Sequence, residues 1–149
     1  MDNKIKSKTR LVAVQIIFQN LISKKEIKNI KEEFDKFYKN KALEENGDKI
    51  RYNINFLNKL LDNYIKTSSN INFDHEINKY IKFERIFEKW DLINKSILMM
   101  AISELNNCEK HKKKIIINEY IELSKSFINL QDRKIINVIL DKFLNEKID

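Results

Sequence analysis

The chain has 149 residues, 42% hydrophobic and 34% charged, with no proline, one glycine and one cysteine. At this length a single domain buries about two-thirds of the surface its unfolded form exposes, and so few helix breakers make an all-α fold the expectation. One glycine excludes a P-loop and a dinucleotide fingerprint, one cysteine excludes an intramolecular disulfide, and no apolar run approaches the roughly 20 residues that span a bilayer.

The formal charge of +7 makes nucleic acid the first partner to consider, because cations that neutralise phosphates drive that binding. All but four of the 29 basic residues are lysine, and isoleucine and asparagine are also abundant, a composition that AT-rich codons alone produce. Position therefore has to decide. The N-terminus carries no apolar secretory segment, so a cytoplasmic protein is expected.

Residues 1–10 carry Lys4, Lys6, Lys8 and Arg10 against one acid, Asp2, and read as a basic arm. A first helix is predicted from Ser7, as N-cap, to Ser23, with Leu11, Val14, Ile17, Phe18 and Leu21 inward. On its other side Gln15 and Gln19 each fall within about 20° of Lys8. That ridge is either a phosphate- and base-contacting edge or a solvated face. A second helix is expected over Glu26–Lys41, a turn at Asn46-Gly47-Asp48, and a long helix from Lys49 to Lys66. The Ser/Thr/Asn cluster from Thr67 to Asn72 reads as a linker between lobes, before Phe73, Ile77, Tyr80 and Ile81 resume the pattern. Phe83–Trp90 reads as a short helix or turn. Asp91 is placed to cap a helix with Ile93, Ile97, Leu98, Ala101, Ile102 and Leu105 inward, and Met99 and Met100 make it apolar nearly all round, as a central helix would be. Asn106–Lys114 reads as a polar loop ending in a basic cluster.

The stretch from Ile115 to Phe143 reads as a helical hairpin. Ile116, Tyr120, Leu123 and Phe127 form one stripe; Asp132 is placed as N-cap of a second helix with Ile135, Ile136, Ile139, Leu140 and Phe143 inward.

The residues for chemistry are sparse. Cys108 and His111 make a C-x-x-H pair, two ligands short of a structural zinc site. Glu104, Glu119 and Glu122 lie in or beside apolar helices, where Glu122 can pair with Lys125 at i+3 and a carboxylate can satisfy buried groups. The chain is read as a non-enzyme with no metal and no cofactor.

INEYIELSKSF followed by RKIINVILDKF resembles the C-terminal signature of the NusB family of bacterial transcription antitermination factors, INE-x-x-ELAK-x-F before KFVNGVLD. Arg10-x-x-Ala13-x-Gln15-x-x-Phe18 is similar to that family's opening R-x-x-A-x-Q-x-x-Y, and INKSILMMAISEL from Ile93 to its central EKAILRLA-x-YEL helix. The resemblance implies a NusB-like all-α fold of two small helical bundles packed at right angles. The domain layout expected is a single domain over 1–149, with lobe 1 about 7–68, lobe 2 about 73–146 and the basic arm 1–10.

It also implies binding of boxA-type RNA of ribosomal RNA operons together with the NusE ribosomal protein, within an RNA polymerase antitermination complex. Lys4, Lys6, Lys8, Arg10 and Gln15 would hold phosphates and a base edge. Phe127, Arg133 and Lys134 would approach the same RNA, with Phe127 either stacking on a base or completing the apolar stripe. Phe18, Glu88 and Asn94 fall where the family meets NusE. Lysine replaces most arginines of the family's arm, which keeps charge but loses bidentate geometry. Met99, Asn94 and Val138 replace an Arg, an acid and a Gly. The alternative is a helical protein-interaction or self-association module of the same fold, a homodimer in the latter case, that binds RNA only non-specifically.

Overall fold

The computed structural model of the chain describes residues 1–38, 43–45, 48–50, 52–81 and 86–144. Among them seven α-helices follow one another: α1 (Asn3–Ser23), α2 (Ile27–Tyr38), α3 (Ile54–Asn70), α4 (Phe73–Asn78), α5 (Leu92–Leu105), α6 (Lys113–Ser124) and α7 (Leu130–Asp141). The fold is all-α. The exception is a small antiparallel ribbon, β1 (Leu43–Glu45) against β2 (Asp48–Ile50), which pairs Leu43 with Ile50 and Glu45 with Asp48. The turn residues Asn46 and Gly47, the continuation of the second helix beyond Tyr38, the side chains of Phe37 and Tyr38, and Phe83 lie outside the described residues.

The chain divides into two compact units, Met1–Leu61 and Asp62–Asp149. The division falls inside α3, because the expected linker is helical. Thr67 is buried, and Ser68 and Ser69 donate their hydroxyls back to the Ile65 carbonyl. Hydroxyl residues can continue a helix in this way when their side chains bond to the preceding turn. The break comes two residues later, where Asn72 caps α4 by accepting from the His75 N–H.

In the first unit α1 packs against α2 and β2. The expected basic arm is itself helical. Asp2, not Ser7, is the N-cap, its Oδ1 accepting from Lys4 N at 2.6 Å and Ile5 N at 3.4 Å, so α1 starts about five residues earlier than the apolar pattern suggests. Val12, Ala13, Val14, Ile16 and Ile17 are all buried, so α1 is covered over more of its circumference than one stripe. Each large apolar side chain so placed stabilises by roughly 1.5–3 kcal/mol. The helix stops at Lys24, in the left-handed region at φ 63°, whose N–H donates to the Asn20 carbonyl. Asn20 Nδ2 donates to the Lys25 carbonyl and closes the turn.

The expected helix from Lys49 begins instead at Ile54, since Asp48–Ile50 are paired in the ribbon and Asn53 supplies the cap, its Oδ1 accepting from Phe56 N at 2.8 Å. Thr9 Oγ1 accepts from Asn53 N at 2.9 Å, fixing this start to α1. Tyr52 donates to Asp35 and packs edge-on to Phe34, tying the same segment to α2.

In the second unit α5 packs against α6 and α7, and those two against each other. Every residue of α5 from Ser96 to Leu105 is buried, as expected of a central helix, and Ser96 and Ser103 satisfy their hydroxyls on the Leu92 and Met99 carbonyls. Asp91 sits at its N-cap position without a side-chain cap bond. The loop before α6 contains a 3-10 turn, Lys110–Lys112. The predicted hairpin is present as α6 and α7, with Ile116, Tyr120, Ile136, Ile139, Leu140 and Phe143 buried. Its second helix is capped by Asn129 rather than Asp132: Asn129 Oδ1 accepts from Asp132 N at 2.8 Å.

Candidate nucleic-acid interface

The register of α1 sorts the four N-terminal cations into two pairs. At 100° per residue, Lys4, Lys8, Gln15 and Gln19 lie within about 60° of arc, while Lys6 and Arg10 lie on the other side. Lys4 and Gln19 are exposed and Lys8 and Gln15 half-buried. Arg10, only 7% exposed, lays its guanidinium over the Phe56 ring, 5.2 Å from the centroid. One pair of cations thus continues into an amide-bearing stripe, and the other turns toward the packed side.

α1 has no acidic residue in its first turn, so the lysines sit at the positive end of the helix dipole, with the Asp2 cap beside them. Cations there cost the helix about 0.3–1 kcal/mol each at low ionic strength, and the same arrangement concentrates positive potential. Phe18 is half-buried on the neighbouring arc of the helix.

In the second unit α6 ends at Ser124, and the turn that follows decides which aromatic is covered. Ile128 is buried, whereas Phe127 is 45% exposed, its N–H held by the Ser124 carbonyl at 3.0 Å. The apolar stripe of α6 therefore does not extend to Phe127, because the chain leaves the helix three residues before it. Lys134 is exposed on α7, and Arg133 is half-buried, its Nε lacking a hydrogen-bond partner among the described residues.

Asn94, 7% exposed, donates to Asp132 Oδ2 at 3.4 Å. Both line a cavity of about 260 Å³ with Ile86, Lys89, Trp90, Asp91 and Ile135. Glu88 is exposed and accepts from Asn78 Nδ2 at 2.6 Å; Asn78 Oδ1 in turn accepts from Phe87 N. An apolar groove of about 390 Å³ lies next to the cavity, sharing Trp90 and Ile135 and including Val138 and Lys134.

The carboxylates raised by the sequence have structural partners. Glu104 is buried and accepts from Tyr120, and Glu122 pairs with Lys125 at 2.7 Å, the i+3 partner expected. Burial pushes the Cys108 thiol above its ordinary value, the charge of Lys113 partly opposing this, which disfavours the thiolate a nucleophile or metal ligand requires. Among the described residues no group of three or more His, Cys, Asp or Glu is placed to hold a metal ion, and no helix is long and apolar enough to cross a membrane.

Sequence reasoning missed the split of the N-terminal cations, although register alone carries it once the helix is known to start at Asn3. It also missed the cavity, whose walls come from segments up to about 50 residues apart.

The NusB family model matches residues 7–145. A transcription antitermination protein NusB of Colwellia psychrerythraea is 31% identical over 135 residues, covering 91% of this chain and 88% of that protein. A namesake from Rickettsia felis is 30% identical over 153 residues, with 97% and 96% covered. One from Blochmanniella floridana reaches 43% identity over 58 residues, 39% of this chain and 42% of its own length. A family match over nearly the whole length, and relatives similar from end to end, make this chain a member of the NusB family.

Proposed function

We propose that the chain is a transcription antitermination factor that binds boxA-type RNA of ribosomal RNA operons jointly with a NusE-type ribosomal protein, within an RNA polymerase antitermination complex. The observation that carries the RNA reading is the stripe of Lys4, Lys8, Gln15 and Gln19 on α1, where charge for phosphates continues into amides for base edges. In this reading Lys4 and Lys8 hold phosphates, Gln15 meets a base, and Arg10, on the packed side with Lys6, anchors the helix that presents them. Phe127, exposed at the α6–α7 turn, stacks on an unpaired base, with Arg133 and Lys134 as neighbouring cations. Phe18, Glu88 and Asn94 serve the ribosomal-protein partner. The family membership and the relatives' name support the role in antitermination.

The test is fluorescence anisotropy of a labelled boxA-type RNA and a scrambled control, with and without the NusE-type partner, at two salt concentrations. Preference for boxA that strengthens with partner is the expected result. Equal, steeply salt-dependent binding to both RNAs, unmoved by partner, would overturn it.

A second reading is a self-associating helical module. Ile22 on the same side of α1 is exposed, an apolar element the RNA reading does not use. A light-scattering mass of a stable dimer, with the first helix protected from proteolysis, would favour it.

A further inference from the structure

The turn between α5 and α6 carries cations that the boxA reading leaves unused. Lys110, His111, Lys112 and Lys114 are all exposed within five residues. Lys113, between them, is buried and donates its Nζ to the Phe143 carbonyl at 3.0 Å. This inward anchor fixes the backbone, so the other four side chains project outward from a 3-10 turn and the first turn of α6.

Their surroundings differ from those of several other lysines in the protein. Lys31, Lys79 and Lys125 each face a carboxylate one turn away. Among the described residues the ammonium groups of Lys110, Lys112 and Lys114 have no ion-pair or hydrogen-bond partner, and the Glu109 carboxylate lies 3.4 Å from His111. α6 has no acidic residue in its first turn and no side-chain cap, so nothing there offsets the helix dipole either. Three neighbouring cations that form no ion pair among the described residues lower their mutual repulsion on meeting a polyanion.

We propose that Lys110, Lys112 and Lys114 form a second, sequence-independent grip on the phosphate chain of bound RNA, separate from the contacts of α1 and of the α6–α7 turn. Lysine suits such a grip because it is a mobile point charge that neutralises phosphates without demanding a fixed geometry. The three span roughly 8 Å of helix axis, room for two or three phosphates of a flexible single strand. The inference rests on RNA binding by this chain and not on its preference for boxA.

The experiment measures binding of a labelled oligouridylate as a function of salt, for the whole chain and for the variant Lys110→Gln, Lys112→Gln, Lys114→Gln. Each phosphate contact on a single strand contributes about 0.7 to the slope of log K against log salt, so the variant should lose about 2 from that slope. A charge-matched control, Lys25→Gln, Lys28→Gln, Lys36→Gln, removes three exposed cations elsewhere and should lose much less. An equal loss in both variants would show diffuse net charge, and an unchanged slope in the first would show a merely solvated cluster; either overturns the proposal. Vesicles of anionic lipid are run in parallel, and loss of vesicle binding with an unchanged RNA slope would reassign the patch to membranes. Failure of the boxA reading is seen separately, in equal binding of boxA and scrambled RNA by the unmodified chain.

Discussion

Tyr120 on α6 donates its hydroxyl to Glu104 Oε1 on α5 at 2.8 Å, with both side chains buried. This bond joins the central helix to the hairpin of the second unit and gives a buried acid a structural role. A hydrogen bond to a charged or buried acceptor is worth about 1–3 kcal/mol. Tyr120→Phe should therefore lower the urea unfolding free energy by that amount. The exposed Glu122–Lys125 pair, by contrast, should contribute less than about 0.5 kcal/mol, so Glu122→Gln should leave the midpoint nearly unmoved.

The turn after α6 separates a stability residue from a binding residue that are adjacent in sequence. Ile128→Ala should cost about 2–4 kcal/mol of stability, since Ile128 is buried. Phe127→Ala should cost less than about 1 kcal/mol of stability but weaken boxA binding by about 1–3 kcal/mol if its ring stacks on a base. Denaturant titration and anisotropy on both variants check this; RNA affinity unchanged in Phe127→Ala would remove the ring from the interface.

On α1 the two cation pairs should behave differently. Lys4→Gln with Lys8→Gln should reduce the salt slope of RNA binding by about 1.4, two contacts at roughly 0.7 each, with stability little changed. Arg10→Gln should instead lower stability by about 0.5–2 kcal/mol, through loss of its contact with Phe56. A stability loss confined to the lysine pair would contradict this division.

Lys24 occupies a left-handed position that glycine adopts without a Cβ clash. Lys24→Gly should stabilise by about 0.5–1 kcal/mol, part of the 1–2 kcal/mol steric cost being returned as greater freedom of the unfolded chain. Thermal unfolding followed by circular dichroism reads it out as a higher Tm.

The raised Cys108 thiol sets a pH dependence. With its folded value above its ordinary one of 9.0, the stability it contributes is complete below that pH and is lost as pH rises through the raised value. Tyr64, also raised by burial from 10.0, acts in the same direction. Stability should fall at alkaline pH, and less so in Cys108→Ala. At mildly alkaline pH iodoacetamide should alkylate the native thiol several-fold more slowly than the thiol in urea.

The elements most legible from sequence are those with unbroken periodicity. α5 reads as a central helix because apolar residues surround it, and the α6–α7 hairpin because its inward positions repeat every three or four residues. Polar punctuation was harder to read. Thr67 to Asn70 carry residues that occur in loops and in helices alike; here they are helical, with the Ser68 and Ser69 hydroxyls placed on the Ile65 carbonyl one turn back. Asp132 and Asn129 could each cap α7, and the backbone path out of α6 chose Asn129.

For the candidate site, sequence alone determined which residue types are available: a lysine-rich N-terminus, an aromatic before the last helix, and motifs in the order shared by the NusB family. Those follow from local spacing and composition, which one chain carries in itself. Only the tertiary structure decided which of them face outward. Arg10 and Phe127 show why. The one is charged yet nearly covered because Phe56, 46 residues later, lies beneath it; the other is aromatic yet exposed because α6 ends at Ser124 and Ile128 takes the inward place. Burial is a property of what packs against a residue, and that neighbour is set by the fold of distant segments rather than by the residue's own surroundings in sequence.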